Sequence, residues 1–497
     1  MRNNNFIIWI GAGLVALSST TLSACSEIEH GVNDIDSWEE AKQYIPEDGL
    51  KHPCMLHSNA DFGYIREMLD IQENGLPGVN AKKPLIDAYN HLTRSDNNHA
   101  QTSWSPNPVK KLARLDAANW ATIDRWISMG IEEDWYNGVH SNYMNFSRDC
   151  AAAYAQAVLW KITGNDAYAN TAINILNKWA ETCVGYITDK SGEFIDPNQK
   201  LIGLTVYQFA NAAELMRDYQ GWSSSKFDKF KNWMIDVFYT QSSKFLASHG
   251  AAKCPVHEWF NWDLASMNTI LAIGILADDN YKINEAIQYF KYGVGSGMIL
   301  NGIPFVHTDP DGHGLLGQCQ ESGRDQGHTA LCVAMLSIFC KMAASVGEDL
   351  IAYDNYRPLS MFEYHAKYNV GTSEVRSSDG KSWYMTGFRY DVSRVPFEPL
   401  EKCTNYNANE RWESISYEEH KNGKETRGVS NPAWELICRM AEDRGQEAYY
   451  STLYRDQMRQ NAQRGNCDGG AGDFGPDSGG YDVFGWGSLL YAKVAEE

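Results

Sequence analysis

The sequence is poor in basic residues and contains no Cys-x-x-Cys pair. Its 43 Lys and Arg face 63 Asp and Glu, which leaves a formal net charge of -20 at pH 7 and a pI near 5.1. That balance argues against a nucleic-acid partner and against a basic membrane-surface protein, because both need clustered positive charge. One locally basic groove could still hold an anionic substrate. The missing Cys-x-x-Cys spacing argues against a zinc ribbon.

Three further absences limit the function classes. Gly469-Gly-Ala-Gly472 follows no strand and precedes no Lys, so it is not a nucleotide loop. Asp309-Pro-Asp-Gly312 has only half the ligands of a calcium loop. No sequence motif repeats along the chain, which argues against an α-solenoid. We therefore predict no metal site and no cofactor.

The N-terminus has the pattern of an export signal. A short basic start precedes the apolar run 6–17, which is too short to span a bilayer. Leu22-Ser-Ala-Cys25 then resembles the bacterial lipobox, which implies lipidation of Cys25. We expect a signal peptide over 1–24, a tether over 25–50 and a single domain over 51–497. The expected location is the outer membrane of a bacterium, on its periplasmic or cell-surface side, with membrane contact only through the anchor.

Helical patterns recur in pairs at a spacing of roughly 50 residues. The first helix of each pair is apolar on most sides and the second is amphipathic, as expected when inner helices form a ring inside outer ones. The predicted pairs are 148–161 with 166–183, 201–219 with 225–242, 260–277 with 281–292, 326–344 with 351–368, and 432–442 with 447–463. Helices are also predicted over 60–72, 84–92, 120–129 and 483–494.

This pattern predicts an all-α fold. It is an (α/α) toroid, or incomplete α/α barrel, of six to seven helix pairs. The lead-in segments of the inner helices should open onto one face. Residues 371–429 lack long helical periodicity and are expected to form an irregular or hairpin insertion over that face.

The densest run of reactive side chains is Gly317 to His328, directly before an apolar helix. Glu321, Arg324 and His328 stand three, four and seven positions apart, so one helix face could present all three. The alternative is a simple helix cap, since acids suit a first helical turn. A cap accounts for the acids and leaves Arg324 and His328 unexplained.

Other lead-ins to the predicted common face contain amides, tyrosines and arginines, a set suited to a carboxylate-bearing sugar. An excess of aromatic residues, with 16 Trp and 27 Tyr, also leans toward carbohydrate. The candidate binding residues are Asn145, Arg148, Gln208, His257, Asn261, Trp262, Gln326, Tyr384, Tyr417 and Arg427.

Four motifs together resemble the alginate lyase superfamily. They are Asn261-Trp262-Asp, the run from Glu321 to His328, the segment 362–371 and the segment 472–480. The likeness is strongest to polysaccharide lyase family thirty-eight, whose members act on mannuronate-rich alginate or on glucuronan. It implies a helical toroid and a metal-free β-elimination on an anionic polysaccharide. Related lyases have His where this chain has Trp262, and their Arg and Tyr align with Glu321 and His328.

β-Elimination accounts for these residue types. The C5 proton of a uronate becomes acidic only when the neighbouring carboxylate is neutralised, for which Asn261, Gln326, Arg324 or a protonated Glu321 are candidates. His328 is the first choice for the base, and Tyr417 or Tyr384 for its partner. Asn261 could instead merely cap its helix.

Two rival functions stay open. A glycoside hydrolase on the same toroid would need two carboxylates, recruited from Glu258, Asp263, Glu321 and Asp325. A surface lipoprotein that binds glycans without catalysis is the other.

Overall fold

The structure is a computed structural model. It describes residues 41–93, 113, 123, 126–128, 143–187, 203–249, 259–377, 383–402, 410–423, 427–471, 473–474, 481–483 and 485–494. Predictions for Cys25 and His257 therefore lie outside the described residues.

Helices dominate the described chain. They are α1 Asn59–Met68, α2 Leu85–Thr93, α3 Tyr143–Thr163, α4 Asp166–Thr182, α5 Gly203–Met216, α6 Ser224–Met234, α7 Thr240–Ser248, α8 Phe260–Leu276, α9 Asn280–Tyr292, α10 Ile299–Gly302, α11 Gln326–Ser345, α12 Tyr353–Asn369, α13 Tyr417–Lys421, α14 Trp434–Glu442, α15 Tyr449–Arg459 and α16 Gly487–Leu490.

The inner helices follow one another around a ring. Helix α3 packs on α5, α5 on α8, α8 on α11, and α11 on α14; α16 and α1 connect α14 back to α3. Every residue of α5 is buried, and so is every residue of α8 except Trp262. Helix α11 is long and apolar enough to cross a membrane, yet most of it is buried within the ring. These helices are buried on nearly every side and form the core.

The outer helices differ in how much of their surface is buried. Helices α9 and α12 have long runs of consecutive buried residues, at 282–291 and 358–369, whereas α6 buries one face only. In α6 the buried residues are Phe227, Phe230, Trp233 and Met234, a spacing that matches one helical stripe. Helix α4 packs on α3, α9 on α8, α12 on α11, and α15 on α14. The paired inner and outer layers confirm the predicted α/α toroid.

The strands are short and form two-stranded ladders. β1 Trp126–Ser128 pairs in parallel with β2 Gly185–Ile187, while β3 Phe305–Thr308 and β4 Leu315–Gln318 form an antiparallel pair. Within the predicted insertion, β5 Ser373–Arg376 pairs with β6 Trp383–Thr386, and β7 Leu400–Lys402 with β8 Glu410–Trp412. The expected hairpin character of 371–429 is thereby confirmed.

Three helix predictions were wrong in part. Residues 126–128 are strand β1, because pairing with β2 buries Ile127. The predicted helix 225–242 changes at 235–239 into a π-helical turn and continues as α7. The predicted helix 483–494 is reduced to α16, because left-handed backbone at Gly485 and Trp486 prevents an earlier start.

The described part of the predicted tether contacts the domain. The Lys42 backbone N–H donates to Asn284 at 2.8 Å and that of Tyr44 to Asn280 at 2.7 Å, both on α9. Tyr44 is buried and its hydroxyl lies 3.1 Å from Glu348. Packing onto the helical domain therefore begins upstream of the predicted boundary at residue 51.

Candidate functional site

The site forms where the start of α8 meets the turn that leads into α11. Helix α11 begins at Gln326 because Asp325 caps it, with extended backbone at φ -163° and a side chain that accepts from the His328 N–H. The preceding turn is closed by the Arg324 N–H, which donates to the Glu321 carbonyl at 2.9 Å. The cap and the turn bring Glu321, Arg324 and His328 to one end of the ring.

Glu321 is a buried acceptor at the centre of this turn. Its Oε1 accepts from the Asn261 backbone N–H at 2.8 Å and from Asn261 Nδ2 at 2.7 Å. The same oxygen lies 3.2 Å from the Cys332 thiol, and Oε2 accepts from Arg324 Nη1 at 2.9 Å. Glu321 therefore fixes both Asn261 and Arg324. With four donors directed at it, the expected role as a protonated donor finds no support in the geometry.

Asp325 connects the cation to the imidazole. Its Oδ2 lies 2.6 Å from His328 Nδ1 and 3.6 Å from Arg324 Nε. Burial opposes ionisation of this carboxyl, yet the charge and hydrogen bonds of His328 and the charge of Arg324 lower the pKa of Asp325 to about 2. His328 keeps 39% of its side chain exposed, and no residue of the described chain hydrogen-bonds its Nε2. The second ring nitrogen is thus available to a ligand.

One tryptophan contacts the guanidinium, and two more pack against that tryptophan. The Arg324 guanidinium lies 4.0 Å from the ring centroid of Trp259, a cation–π contact. Trp259 stacks on Trp412 at 6.0 Å with an interplanar angle of 20°, and meets Trp262 edge-on at 6.1 Å. Trp259 therefore covers the Arg324 guanidinium, and both Trp259 and Trp262 remain partly exposed.

The insertion is bonded to the same turn. The Ser416 N–H donates to the Ser322 carbonyl at 2.8 Å, and the Glu418 N–H to the Gly323 carbonyl at 3.3 Å. Tyr417 lies between them as the first residue of α13 and is half-buried. The backbone of Tyr417 is therefore held beside the entrance of α11.

Two predicted binding residues, Gln326 and Gln208, form side-chain hydrogen bonds within the protein. Gln326 donates to Ser416 Oγ at 3.0 Å and accepts from Asn369 Nδ2 at 2.8 Å. Gln208 is buried and donates to the Tyr481 carbonyl. Their side-chain amides are therefore engaged within the protein, which the sequence could not indicate.

Two predicted arginines are likewise engaged. Arg148 is buried and donates to Asp149 at 2.9 Å and to Asn145 at 3.2 Å. Arg427 donates to the carbonyls of Tyr368 and Tyr390, each at 2.6 Å, and so braces the insertion. Tyr384 belongs to β6, where it pairs with Val375 and bridges to Val429. Within the described residues, these contacts of Asn145, Arg148, Tyr384 and Arg427 are to residues other than His328 and Arg324.

Two members of the site were missed. Trp259 was not selected, although in Trp259-Phe-Asn-Trp262 two aromatic residues precede Asn261 and one follows it. Asp325 was predicted as a helix cap or as a hydrolase carboxylate, and not as the partner of His328. Its position three residues before His328 was the available signal, since residues so spaced share a helix face.

The site combines the Arg324 guanidinium with the partly exposed imidazole of His328. The Nδ1 atom of that imidazole faces the Asp325 carboxylate. A buried carboxylate that orients His is the usual partner of a general base. The guanidinium could bind an anionic group beside that base. Proton abstraction next to a carboxylate is the chemistry that such a pair favours.

Comparisons with known proteins give one family match and several similar structures. The family model described as alginate lyase matches residues 89–375. A crystal structure of an alginate lyase from Bacteroides ovatus is similar, with 13% identity, coverage of 83% of this chain and 97% of that one, and a TM-score of 0.44. Alginate lyase A1-III from Sphingomonas species A1 is similar at 16% identity, with coverage of 63% and 80% and a TM-score of 0.37.

A variant of alginate lyase A1-III complexed with a tetrasaccharide is similar at 14% identity, with coverage of 61% of this chain and 75% of that one and a TM-score of 0.38. No curated protein matches the chain.

Proposed function

The chain belongs to the alginate lyase family, and from this premise we propose that it cleaves a 1,4-linked polyuronate by β-elimination. Mannuronate-rich alginate is the first proposed substrate and glucuronan the second. Membership of polysaccharide lyase family thirty-eight stays a prediction. The observation that carries the proposal is the sharing of Asp325 by Arg324 and His328, which sets a cation and an oriented imidazole side by side.

In the first step Arg324 binds the carboxylate of the sugar that loses its proton. A guanidinium is permanently charged and forms paired hydrogen bonds with a carboxylate, so it neutralises the charge that builds up as C5 is deprotonated. Glu321 and Trp259 support this role because both contact the guanidinium and so fix its position. Asn261 and Gln326 each have a two-donor amide that already donates to a protein acceptor. Arg324 donates to Glu321 with one nitrogen, but its guanidinium has five N–H donors and a permanent charge, so it is the best-supported neutraliser.

In the second step His328 Nε2 takes the C5 proton, the electron pair forms the C4–C5 double bond, and the C4–O4 bond breaks. Mannuronate and glucuronate have the C5 proton and O4 on one side of the ring. The protonated imidazole or the Tyr417 hydroxyl can therefore return a proton to the departing O4. The bonds that hold Ser416 and Glu418 to the α11 turn support Tyr417 as that partner.

The hydrolase alternative has weaker support. Asp263 and Glu321 are fully buried, and Asp263 accepts from the Gly297 N–H at 2.7 Å and from the Tyr289 hydroxyl at 3.1 Å. Asp325 is engaged by His328, and Glu258 lies outside the described residues. A hydrolase requires two carboxyls that flank the scissile bond.

One assay distinguishes the functions. Purified protein is incubated with polymannuronate, polyguluronate and glucuronan, and absorbance of the unsaturated uronate is followed in the ultraviolet. The proposal expects the absorbance to rise fastest with polymannuronate. Cleavage without absorbance would indicate a hydrolase, and binding without cleavage a glycan-binding protein.

We also propose, from the sequence alone, that Cys25 is lipidated and anchors the enzyme to the outer membrane. Labelling with a fatty-acid analogue tests this, because Cys25→Ser should abolish the label and release the protein from the membrane fraction.

A further inference from the structure

A second cluster of reactive side chains lies at the other end of the toroid. It comprises His52 and Cys54 in the segment before α1 and Glu214 in the last turn of α5. Asp278, which contacts His52, follows the C-terminus of α8, whereas Asn261 lies at its start. At a rise of 1.5 Å per residue the two ends are about 25 Å apart. The cluster is therefore separate from the proposed lyase site.

The three side chains converge on one point. His52 Nδ1, Cys54 Sγ and Glu214 Oε1 all lie within 4.8 Å of one another. His52 Nδ1 is 2.6 Å from Glu214 Oε1 and 3.9 Å from Cys54 Sγ. In a tetrahedral zinc site, with bonds of about 2.0–2.3 Å, neighbouring ligand atoms stand roughly 3.3–3.7 Å apart. The two distances lie on either side of that range, so small side-chain shifts would bring the ligand atoms to tetrahedral zinc geometry.

The ring of His52 is already oriented for metal binding. Its Nε2 lies 2.9 Å from Asp278 Oδ1, which directs Nδ1 toward the thiol and the glutamate. Metal-binding histidines commonly use a carboxylate on the second nitrogen in this way. Arg217 lies 3.4 Å from the other oxygen of Glu214 and 3.4 Å from that of Asp278, so it holds both carboxylates.

We propose that His52, Cys54 and Glu214 bind one divalent transition-metal ion, with zinc the best match. Thiolate, imidazole and carboxylate are the three ligand types that zinc uses in proteins. The charges also balance, because one thiolate and one glutamate neutralise a divalent ion while Arg217 neutralises Asp278. Water could fill the fourth position, since His52 and Cys54 are partly exposed and give the ion a path from solvent.

The expected role is structural. The ion would join the segment that precedes α1 to the end of α5, and through Asp278 to the turn between α8 and α9. Such a bond should raise the unfolding temperature and leave the chemistry at His328 unchanged. This inference does not depend on the proposed lyase function.

Zinc titration tests the proposal. Untagged full-length protein is stripped with a chelator, dialysed and titrated with zinc chloride against a chromogenic chelator, and its metal content is measured by mass spectrometry. We expect one tightly held zinc per chain and a rise of several degrees in unfolding temperature. Uptake well below one equivalent would overturn the proposal.

Cys54→Ser is the diagnostic variant and Cys438→Ser the matched control. Cys438 is a buried thiol on α14 that is not part of the cluster. Cys54→Ser should lose at least tenfold in zinc affinity and lose the temperature shift, while Cys438→Ser should retain both. Equal zinc affinity in the two variants would refute a site at Cys54. Circular dichroism without zinc checks that both variants fold.

Discussion

Asp325 holds His328 through two contacts. Its Oδ1 accepts from the His328 backbone N–H at 2.7 Å, and its Oδ2 lies 2.6 Å from His328 Nδ1. The first contact starts helix α11 and the second orients the imidazole. A carboxylate on Nδ1 stabilises the tautomer whose Nε2 is unprotonated, which is the form a general base requires. One residue therefore couples the helix cap to the proposed chemistry.

His328→Ala should lower kcat by at least the ~100-fold typical of lost acid–base catalysis. Initial rates on polymannuronate, followed in the ultraviolet, measure the loss. His420→Ala is the control, because His420 is an exposed histidine on α13, and it should retain wild-type activity. Near-wild-type turnover of His328→Ala would remove His328 as the base.

Asp325→Asn should lower kcat by roughly tenfold or more, because an amide no longer selects the correct imidazole tautomer. Asn is as good a cap as Asp, so the helix should stay intact. Steady-state kinetics should show the loss mainly in kcat, with KM little changed, and circular dichroism should match the wild type. A variant with unchanged kcat would show that Asp325 serves only as a cap.

The helical layers could be predicted because they depend on local order in the sequence, and the run 317–328 was selected as a candidate site on local order as well. Apolar periodicity identifies an inner helix such as α8, and the density of polar residues identifies the entry to α11. The internal hydrogen bonds of Gln208, Gln326 and Arg427 could not be predicted in this way. Their partners are the carbonyl of Tyr481, the side chains of Ser416 and Asn369, and the carbonyls of Tyr368 and Tyr390. Hydrogen bonds between residues far apart in the sequence cannot be predicted from the spacing of residue types.

Arg324→Met should reduce kcat/KM on polyuronate by about 100-fold or more, because a positioned donor to the developing charge is lost. Arg324→Lys should recover part of that activity, since it restores the charge without the paired hydrogen bonds. Arg455→Met is the control, because Arg455 on α15 pairs with Glu442 and Asp456 rather than with the site. If Arg324→Met and Arg324→Lys were both as active as the wild type, carboxylate neutralisation by Arg324 would be excluded.

Acid should weaken the fold partly through Asp325. The pKa of this carboxyl falls from 3.8 to about 2 on folding, so the folded state favours its ionised form. A lowered pKa stabilises the protein fully above the unfolded value and progressively less as pH falls from about 4 to 2. The contribution is roughly 2 kcal/mol.

Urea unfolding of the wild type and of Asp325→Asn between pH 5 and pH 2.5 measures this contribution, because the Asn side chain does not titrate. The difference in unfolding free energy between wild type and variant should shrink as pH falls. A difference that stays constant across the range would contradict the lowered pKa.

Gly323→Ala should disturb the contact between the α11 turn and the insertion. A Cβ at Gly323 would lie 2.5 Å from Cβ and 2.7 Å from Cγ of Trp412. Trp412 is buried and stacks on Trp259, which contacts the Arg324 guanidinium. Forcing Trp412 away should therefore displace Trp259 as well. We expect a loss of about 1–3 kcal/mol in unfolding free energy and a fall in kcat/KM.

Gly63→Ala is the matched control for this substitution. Gly63 lies within α1, and a Cβ there meets nothing within 4 Å. Because Ala favours a helix over Gly by up to about 1 kcal/mol, this variant should be as stable as the wild type or more stable. Lyase kinetics and thermal unfolding of both variants provide the comparison. If Gly323→Ala lost stability but kept full kcat/KM, the packing of Trp412 would support the fold without positioning Arg324.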